Sequence, residues 1–233
     1  MYAVVGVRVD IVLPQLPETR KVMSRTIVIS DIHGHLTALT ALIKIIGPEP
    51  SDTLVFLGDY VDRGPNSKGV LEQLIDLTKH FNVVPLMGNH EEMMLMAREG
   101  KSDCKFWERC GGAYALISYG GTLDLIPKEH FKFLESLKYY YETDTHFFVH
   151  ANYVSTLQLN KLPIDTMLWT PLINPVIHCS GKTAIVGHSI QRDVLDLGFL
   201  QCIDTGCGYG GVLTAMDAKS KQVWQVKENG QVD

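Results

Sequence analysis

The sequence predicts an α/β fold with parallel strand pairing, on three observations. Short apolar runs rich in β-branched residues alternate with segments of helical periodicity. Their order is strand, helix, strand, helix, strand, which is the pattern of a parallel sheet with right-handed crossovers. The C-terminal third then turns β-rich, which supports a second sheet packed on the first. With 45% apolar residues among 233, the chain can fill one sizeable core, and we read a single domain over residues 23–233. No periodicity precedes Thr26, and Met23 opens the segment "MSRTIVISDIHG", so residues 1–22 read as an N-terminal extension.

The first strands are "TIVIS" (Thr26 to Ser30), "TLVFLGD" (Thr53 to Asp59) and "NVVPLMG" (Asn82 to Gly88), nearly continuous apolar runs of the buried kind. Between them, "LTALTALIKII" (Leu36 to Ile46) and "SKGVLEQLIDLTKH" (Ser67 to His80) carry apolar residues at helical spacing. "EEMMLMAREG" (Glu91 to Gly100) places methionines on one buried helix face. After Gly100, "FWERCGGAYALISYGG" (Phe106 to Gly121) and "PKEHFKFLESL" (Pro127 to Leu137) read as helices of a small cap insertion, the second with proline at an early position. Later strands are expected in "THFFVHA", "KTAIVGH", "VLDLGFLQCID" and "GVLTAMDAKSKQVWQV", the last a hairpin around "DAKSK".

A net charge of -5, spread without long blocks of one sign, predicts neither a nucleic-acid nor a membrane partner. No apolar run approaches the roughly 18 residues of a membrane span, and Arg8 and Asp10 interrupt the N-terminal apolar stretch, unlike a signal peptide. Five cysteines, an odd number without a C-x-x-C pair, favour a reducing compartment. A cytoplasmic protein is expected.

Polar residues cluster at the ends of the strands. Asp31 and His33 follow the first, Asp59, Asp62 and Arg63 the second, Asn89 and His90 the third; His150 and His188 end two later strands. In an open α/β sheet the carboxyl ends of strands are where ligands bind. Asp31 alone would read as a helix cap, and Gly58, Gly64 and Gly88 as turn residues, but five coincident clusters point to a site. Carboxylates, an amide oxygen and imidazoles suit divalent ions such as manganese, iron or zinc, and the lack of paired thiolates disfavours structural zinc. The donors suffice for two ions sharing a carboxylate at about 3.5–4 Å separation.

These motifs resemble the phosphoprotein phosphatase family of calcineurin-like binuclear metallophosphoesterases, in particular its bacterial and phage serine/threonine phosphatases. The residues that carry the resemblance are "SDIHG" (Ser30 to Gly34), "GDYVDRG" (Gly58 to Gly64), "GNHE" (Gly88 to Glu91), "VHA" at His150 and "GH" at His188. The resemblance implies an αββα arrangement of two packed mixed sheets flanked by helices. It implies two divalent metals, manganese foremost, with Asp31, His33 and His188 holding one, Asn89 and His150 the other, and Asp59 bridging. By the same resemblance His90, poised by Asp62, protonates the leaving oxygen, and Arg63 grips the phosphate. A metal-held hydroxide then attacks phosphorus directly, with no phosphoenzyme.

Two positions depart from the family's pattern. Met87 stands where the protein phosphatases usually have an arginine, and "LWTPL" (Leu168 to Leu172) has Thr170 and Pro171 where another phosphate-binding arginine often lies. Arg109, Lys182 and Arg192 are the cations that could compensate. Hydrolases of symmetrical dinucleoside tetraphosphates tend to have an apolar residue at the Met87 position but end the motif in aspartate, not Glu91. The expected substrates are therefore phosphorylated proteins or peptides, with dinucleoside tetraphosphates as the alternative. A third reading, a binding module stabilised by metals, has no use for His90 and Asp62. The glycine-rich "DTGCGYGG" (Asp204 to Gly211) lacks the lysine and spacing of a P-loop and is expected to form a bent substrate wall with Tyr209 as its contact; Arg63 and Asn89 are the other expected substrate contacts. His178 precedes a Ser-Gly-Lys stretch and reads as a surface or pocket-edge residue, and Cys202 and Cys207 as packed thiols.

Overall fold

The computed structural model describes residues 24–101 and 104–232; the expected extension over residues 1–22 lies outside them. In chain order the elements are β1 (Thr26–Ile29), α1 (Leu36–Ile46), β2 (Thr53–Phe56), α2 (Ser67–Leu77), β3 (Asn82–Pro85) and α3 (Asn89–Arg98). An insertion follows: α4 (Cys104–Trp107), a π-helical turn (Glu108–Gly112), α5 (Ala113–Tyr119) and α6 (Lys128–Glu135). The remainder is β4 (Tyr140–Glu142), β5 (His146–Val149), α7 (Ile164–Trp169), β6 (Thr183–Val186), β7 (Leu195–Asp196), β8 (Leu200–Cys202), β9 (Val212–Asp217) and β10 (Val223–Lys227).

The strands form two mixed five-stranded sheets, ordered β10-β9-β1-β2-β3 and β4-β5-β6-β8-β7. β1, β2 and β3 pair in parallel, as do β5, β6 and β8. Side-chain alternation explains why the strand sequences are apolar throughout. Ile27 and Ile29 of β1 and Leu54 and Phe56 of β2 face outward into a core shared with α1, α2 and α3. Val28 and Val55 face inward, where they meet Phe148 and Ile185 of the second sheet. Residues of β5 and β6 with the opposite parity, among them Phe147, Val149, Ala184 and Val186, pack on Leu159, Leu162 and Met167. A strand buried on both faces has no position for a polar side chain until it ends.

Helix α1 occupies the predicted span and stops at Gly47, which takes the left-handed conformation (φ 52°) and donates to Ile43 O. Helix α2 is capped by Asn66, whose side chain accepts from Gly69 N. Three expectations are corrected. The segment 106–121 is not one helix: Gly111, at φ 118°, breaks it within the π-helical turn. "VLDLGFLQCID" forms the antiparallel pair β7 and β8 rather than one strand. The C-terminal hairpin of β9 and β10 extends the first sheet, with β9 antiparallel to β1. Strand β4 and helix α7 carry too few residues for a periodic signal and were not anticipated.

Candidate metal centre

A small cavity of about 80 Å³ opens at the carboxyl ends of the strands, lined by Asp31, His33, Asp59, Asn89, His90 and His188, with Arg63, Asp204 and Tyr209 beside them. His150 is fully buried behind it, its Nε2 3.0 Å from the Asn89 side chain. The residues that the motifs singled out line or abut this locus, with Asp62 behind His90.

The loops that deliver them are strained. His33, Asp59, Asp62, Arg63 and His188 all have positive φ, between 46° and 74°, a region that non-glycine residues rarely adopt. Glu91, fully buried, holds the loop after β2 in place. Its Oε2 accepts from Asp59 N (2.8 Å) and Gly88 N (3.0 Å), and its Oε1 from Tyr60 N (2.7 Å) and Val61 N (3.2 Å). Four backbone N–H groups on one carboxylate satisfy donors that this tight turn cannot pair within itself.

Two sets of donor atoms, each within 4.8 Å of one another, share Asp59: one with His33 and His90, the other with His150 and His188. Asp31 lines the same cavity and accepts from His188 N at 3.2 Å through Oδ2. In these donor sets His188 stands with His150, whereas the resemblance implied His33 as its co-ligand. One terminal atom of the Asn89 amide lies 3.0 Å from His150 Nε2, 3.2 Å from His188 Nδ1, and 3.2 and 3.3 Å from the two Asp59 oxygens. Such a convergence of electron-pair donors is the environment a cation requires.

Electrostatics agree with that fit. Burial, reinforced by the charges of Asp204 and Asp59, pushes Asp31 well above the usual carboxylate range. Burial and the charge of Glu91 do the same to Asp59, and burial raises Asp204 to about 6. Burial, with Arg63 nearby, lowers His33; burial, with His188 nearby, lowers His150. Neutral imidazoles and crowded carboxylates are the state in which these groups bind divalent metals.

The partner of the second nitrogen distinguishes the four imidazoles. His33 Nδ1 meets Val61 O at 3.1 Å, His150 Nδ1 meets Leu57 O at 2.9 Å, and His188 hydrogen-bonds the Trp169 backbone. His90 Nδ1 instead meets a carboxylate oxygen, Asp62 Oδ2, at 2.6 Å, which leaves Nε2 facing Asp59 Oδ2 at 4.0 Å. Arg63 reaches His33 Nε2 with its guanidinium, which also lies over the Tyr209 ring at 4.3 Å.

Next to the small cavity a wider one of about 430 Å³ shares Arg63, Asn89, His90 and Tyr209 and extends to Arg109, Met93 and Trp169. Of the three cations considered as compensation, only Arg109 faces the site. Lys182 pairs with Glu142 at 2.7 Å around a different hollow, and the Arg192 side chain is 97% exposed. Met87 is core packing, and His178 is buried against Leu157 O at 2.7 Å, away from the centre. Cys202 and Cys207 are buried thiols, as expected. Sequence reasoning overlooked Asp204, whose signal was available: it too follows a strand, β8. Trp107, which donates to Asp62 Oδ2 at 2.8 Å, had no such signal.

The family model described as calcineurin-like phosphoesterase matches residues 24–197. The chain belongs to the calcineurin-like phosphoesterases. Serine/threonine-protein phosphatase 1 of Salmonella typhimurium is 32% identical over 204 residues, covering 80% of this phosphoesterase and 88% of that protein. A symmetrical bis(5'-nucleosyl)-tetraphosphatase of Acidovorax ebreus is 45% identical over 73 residues, or 31% of this chain and 25% of that one. Among solved structures, a candidate diadenosine tetraphosphatase superposes with a TM-score of 0.69 at 21% identity, covering 89% of this chain and 95% of that one, a likeness of fold. The phosphoesterase is a hydrolase of the metallophosphoesterase class, and among its described residues no helix is long and apolar enough to cross a membrane.

Proposed function

We propose that this phosphoesterase removes phosphate from phosphoserine and phosphothreonine in proteins or peptides, using two divalent cations, manganese foremost with iron or zinc as alternatives. Bound among the cavity's donors, such a pair supplies positive charge at the phosphoryl group and an activated water. Asp59 faces both donor sets and serves as the shared ligand. Asp31 and His33 hold one side, and Asn89, His150 and His188 the other. Unpaired thiols at Cys179, Cys202 and Cys207 support a reducing, cytoplasmic setting.

One observation carries the hydrolytic reading: of four imidazoles around Asp59, only His90 is backed by a carboxylate. A carbonyl partner fixes a neutral imidazole as a ligand, whereas a carboxylate partner stabilises the imidazolium. Burial and the neighbouring positive groups lower His90, and Asp62 on Nδ1 offsets them, so that Nε2 is the nitrogen that carries the proton to the leaving oxygen. Arg63 offers a planar fork of donors at the mouth of the cavity, and its stacking on Tyr209 fixes where the fork points.

A similarity that spans most of both chains supports the protein-phosphatase substrate. Room for a second phosphate in the wider cavity, with Arg109 on its wall, supports the dinucleoside tetraphosphate alternative. Manganese-loaded protein should be incubated separately with a phosphoserine peptide and with diadenosine tetraphosphate, and the products separated by liquid chromatography. Peptide dephosphorylation that outpaces nucleotide cleavage is expected; the reverse order overturns the preferred substrate.

A further inference from the structure

The carboxylate behind His90 is gripped from the helical insertion. Trp107, the last residue of α4, is fully buried, and its Nε1 donates to Asp62 Oδ2 at 2.8 Å, the same oxygen that meets His90 Nδ1 at 2.6 Å. Asp62 Oδ1 is buried and meets no donor among the described residues. The orientation of the carboxylate therefore depends on the two donors at Oδ2. One donor leaves the group free to turn about its Cβ–Cγ bond; a second, from a different direction, removes that freedom.

The π-helical turn that follows Trp107 fits around the same loop. Gly111 O accepts from Arg63 N at 3.1 Å, and a Cβ on Gly111 would stand 2.7 Å from Arg63 Cγ. A Cβ on Gly112 would stand 2.4 Å from the Trp107 ring. Two consecutive glycines let the insertion reach both residues of the Asp62–Arg63 pair, one through the backbone and one through the indole.

We propose that Trp107 is a positioning residue of this enzyme: its indole N–H fixes the Asp62 carboxylate so that His90 presents Nε2 to the leaving oxygen, and the insertion thereby determines how well poor leaving groups are expelled. The inference rests on the role given to His90 above. An alkoxide leaving group, such as that of serine, needs the proton; a dinitrophenolate does not. Removing the indole N–H should therefore discriminate between substrates, whereas simple damage to packing would lower both alike.

The test is Trp107→Phe, which keeps most of the ring against Gly112, together with site-specific replacement of Trp107 by its benzothienyl isostere, which changes only the N–H. With the manganese-loaded full chain, kcat on a phosphoserine peptide should fall about tenfold, part of the roughly 10²–10⁴-fold that general acids supply, and on 2,4-dinitrophenyl phosphate by less than about twofold. KM and metal content should hold. As a second readout, the Trp107 indole N–H resonance, assigned by its loss in Trp107→Phe, should move upfield in Asp62→Asn. Equal losses on both substrates, no loss on either, or an indole resonance indifferent to Asp62→Asn overturns the positioning role alone. A wild-type protein without hydrolytic activity, or a His90→Asn variant that loses both substrates equally, overturns the reading of His90 and this inference with it.

Discussion

The two sides of Asp59 are built on different principles. Toward His90 the carboxylates are held by hydrogen bonds within the protein: Asp62 Oδ2 meets the imidazole and the indole, and Glu91 accepts from four backbone amides, although burial raises both carboxyls as well. Toward Asp31 the carboxylates of Asp31, Asp59 and Asp204 crowd together in a buried pocket, and each is pushed toward its protonated form. The first side owes its orientation to those hydrogen bonds. The second is organised for a cation, since like charges taken out of water stay ionised only when a positive charge joins them. Loading with metal should change the two sides unequally, and substitutions should separate them.

The largest effect is expected from Asp59→Asn, which removes the carboxylate common to both donor sets. Both metals should be lost and turnover should fall by about 10³-fold or more, as read by elemental analysis beside phosphate release. His90→Asn should lower turnover of alkyl phosphates by about 10²–10⁴-fold while metal content stays near normal; loss of the metals would make His90 a ligand and erase the distinction between the sides.

Glu91→Gln tests the side that folding organises. The amide can accept at one end only, so two of the four backbone donors lose their partner, and stability should fall by about 2–4 kcal/mol. At about 2–4 °C per kcal/mol for a chain of this size, the melting temperature should drop by roughly 5–15 °C even in saturating manganese.

The cation side has a pH signature. Asp31, Asp59 and Asp204 have raised folded-state pKa values, that of Asp204 about 6. Each then favours the folded state fully below its unfolded value of about 3.9, and that contribution fades as pH rises through the folded one. Burial lowers the imidazoles of His33, His90, His150 and His188, which pulls stability the other way over the same range, so the carboxyl share is read by difference. Against metal-free Asp204→Asn, the metal-free wild type should lose melting temperature as pH rises from about 5 to about 7. Saturating manganese should raise the melting temperature more at about pH 8 than at about pH 5, because the ligands must be deprotonated to bind. The smallest effect is expected at Tyr209→Ala: loss of the exposed contact with Arg63, worth about 0.5–1 kcal/mol, should raise KM about two- to fivefold with kcat unchanged.

The motifs made the candidate site legible because each lies within a few residues of a strand end, where the apolar run stops and a tight turn begins. Helix α1 was legible to the residue, since its periodicity and Gly47 are both local signals. The insertion was not: its helical pattern runs through Cys110 and Gly112 without a gap, and only the packing of Gly111 against Arg63 shows why the chain breaks there. Asp204 escaped notice because the glycine-rich stretch after it drew the reading toward a loop, although its place after a strand matched that of Asp31 and Asp59.

By itself the sequence determined which residues could carry the chemistry and that they would lie at the carboxyl ends of strands, which the structure draws from both sheets, because strand parity and turn residues act over a few positions. The tertiary structure alone decided how they group: His188 with His150, the hairpin β9–β10 beside β1, Trp107 on Asp62 across 45 residues of chain. Spacing along a chain records which side chains are near a strand end, but the direction in which a nitrogen or an oxygen points depends on the packing of distant segments.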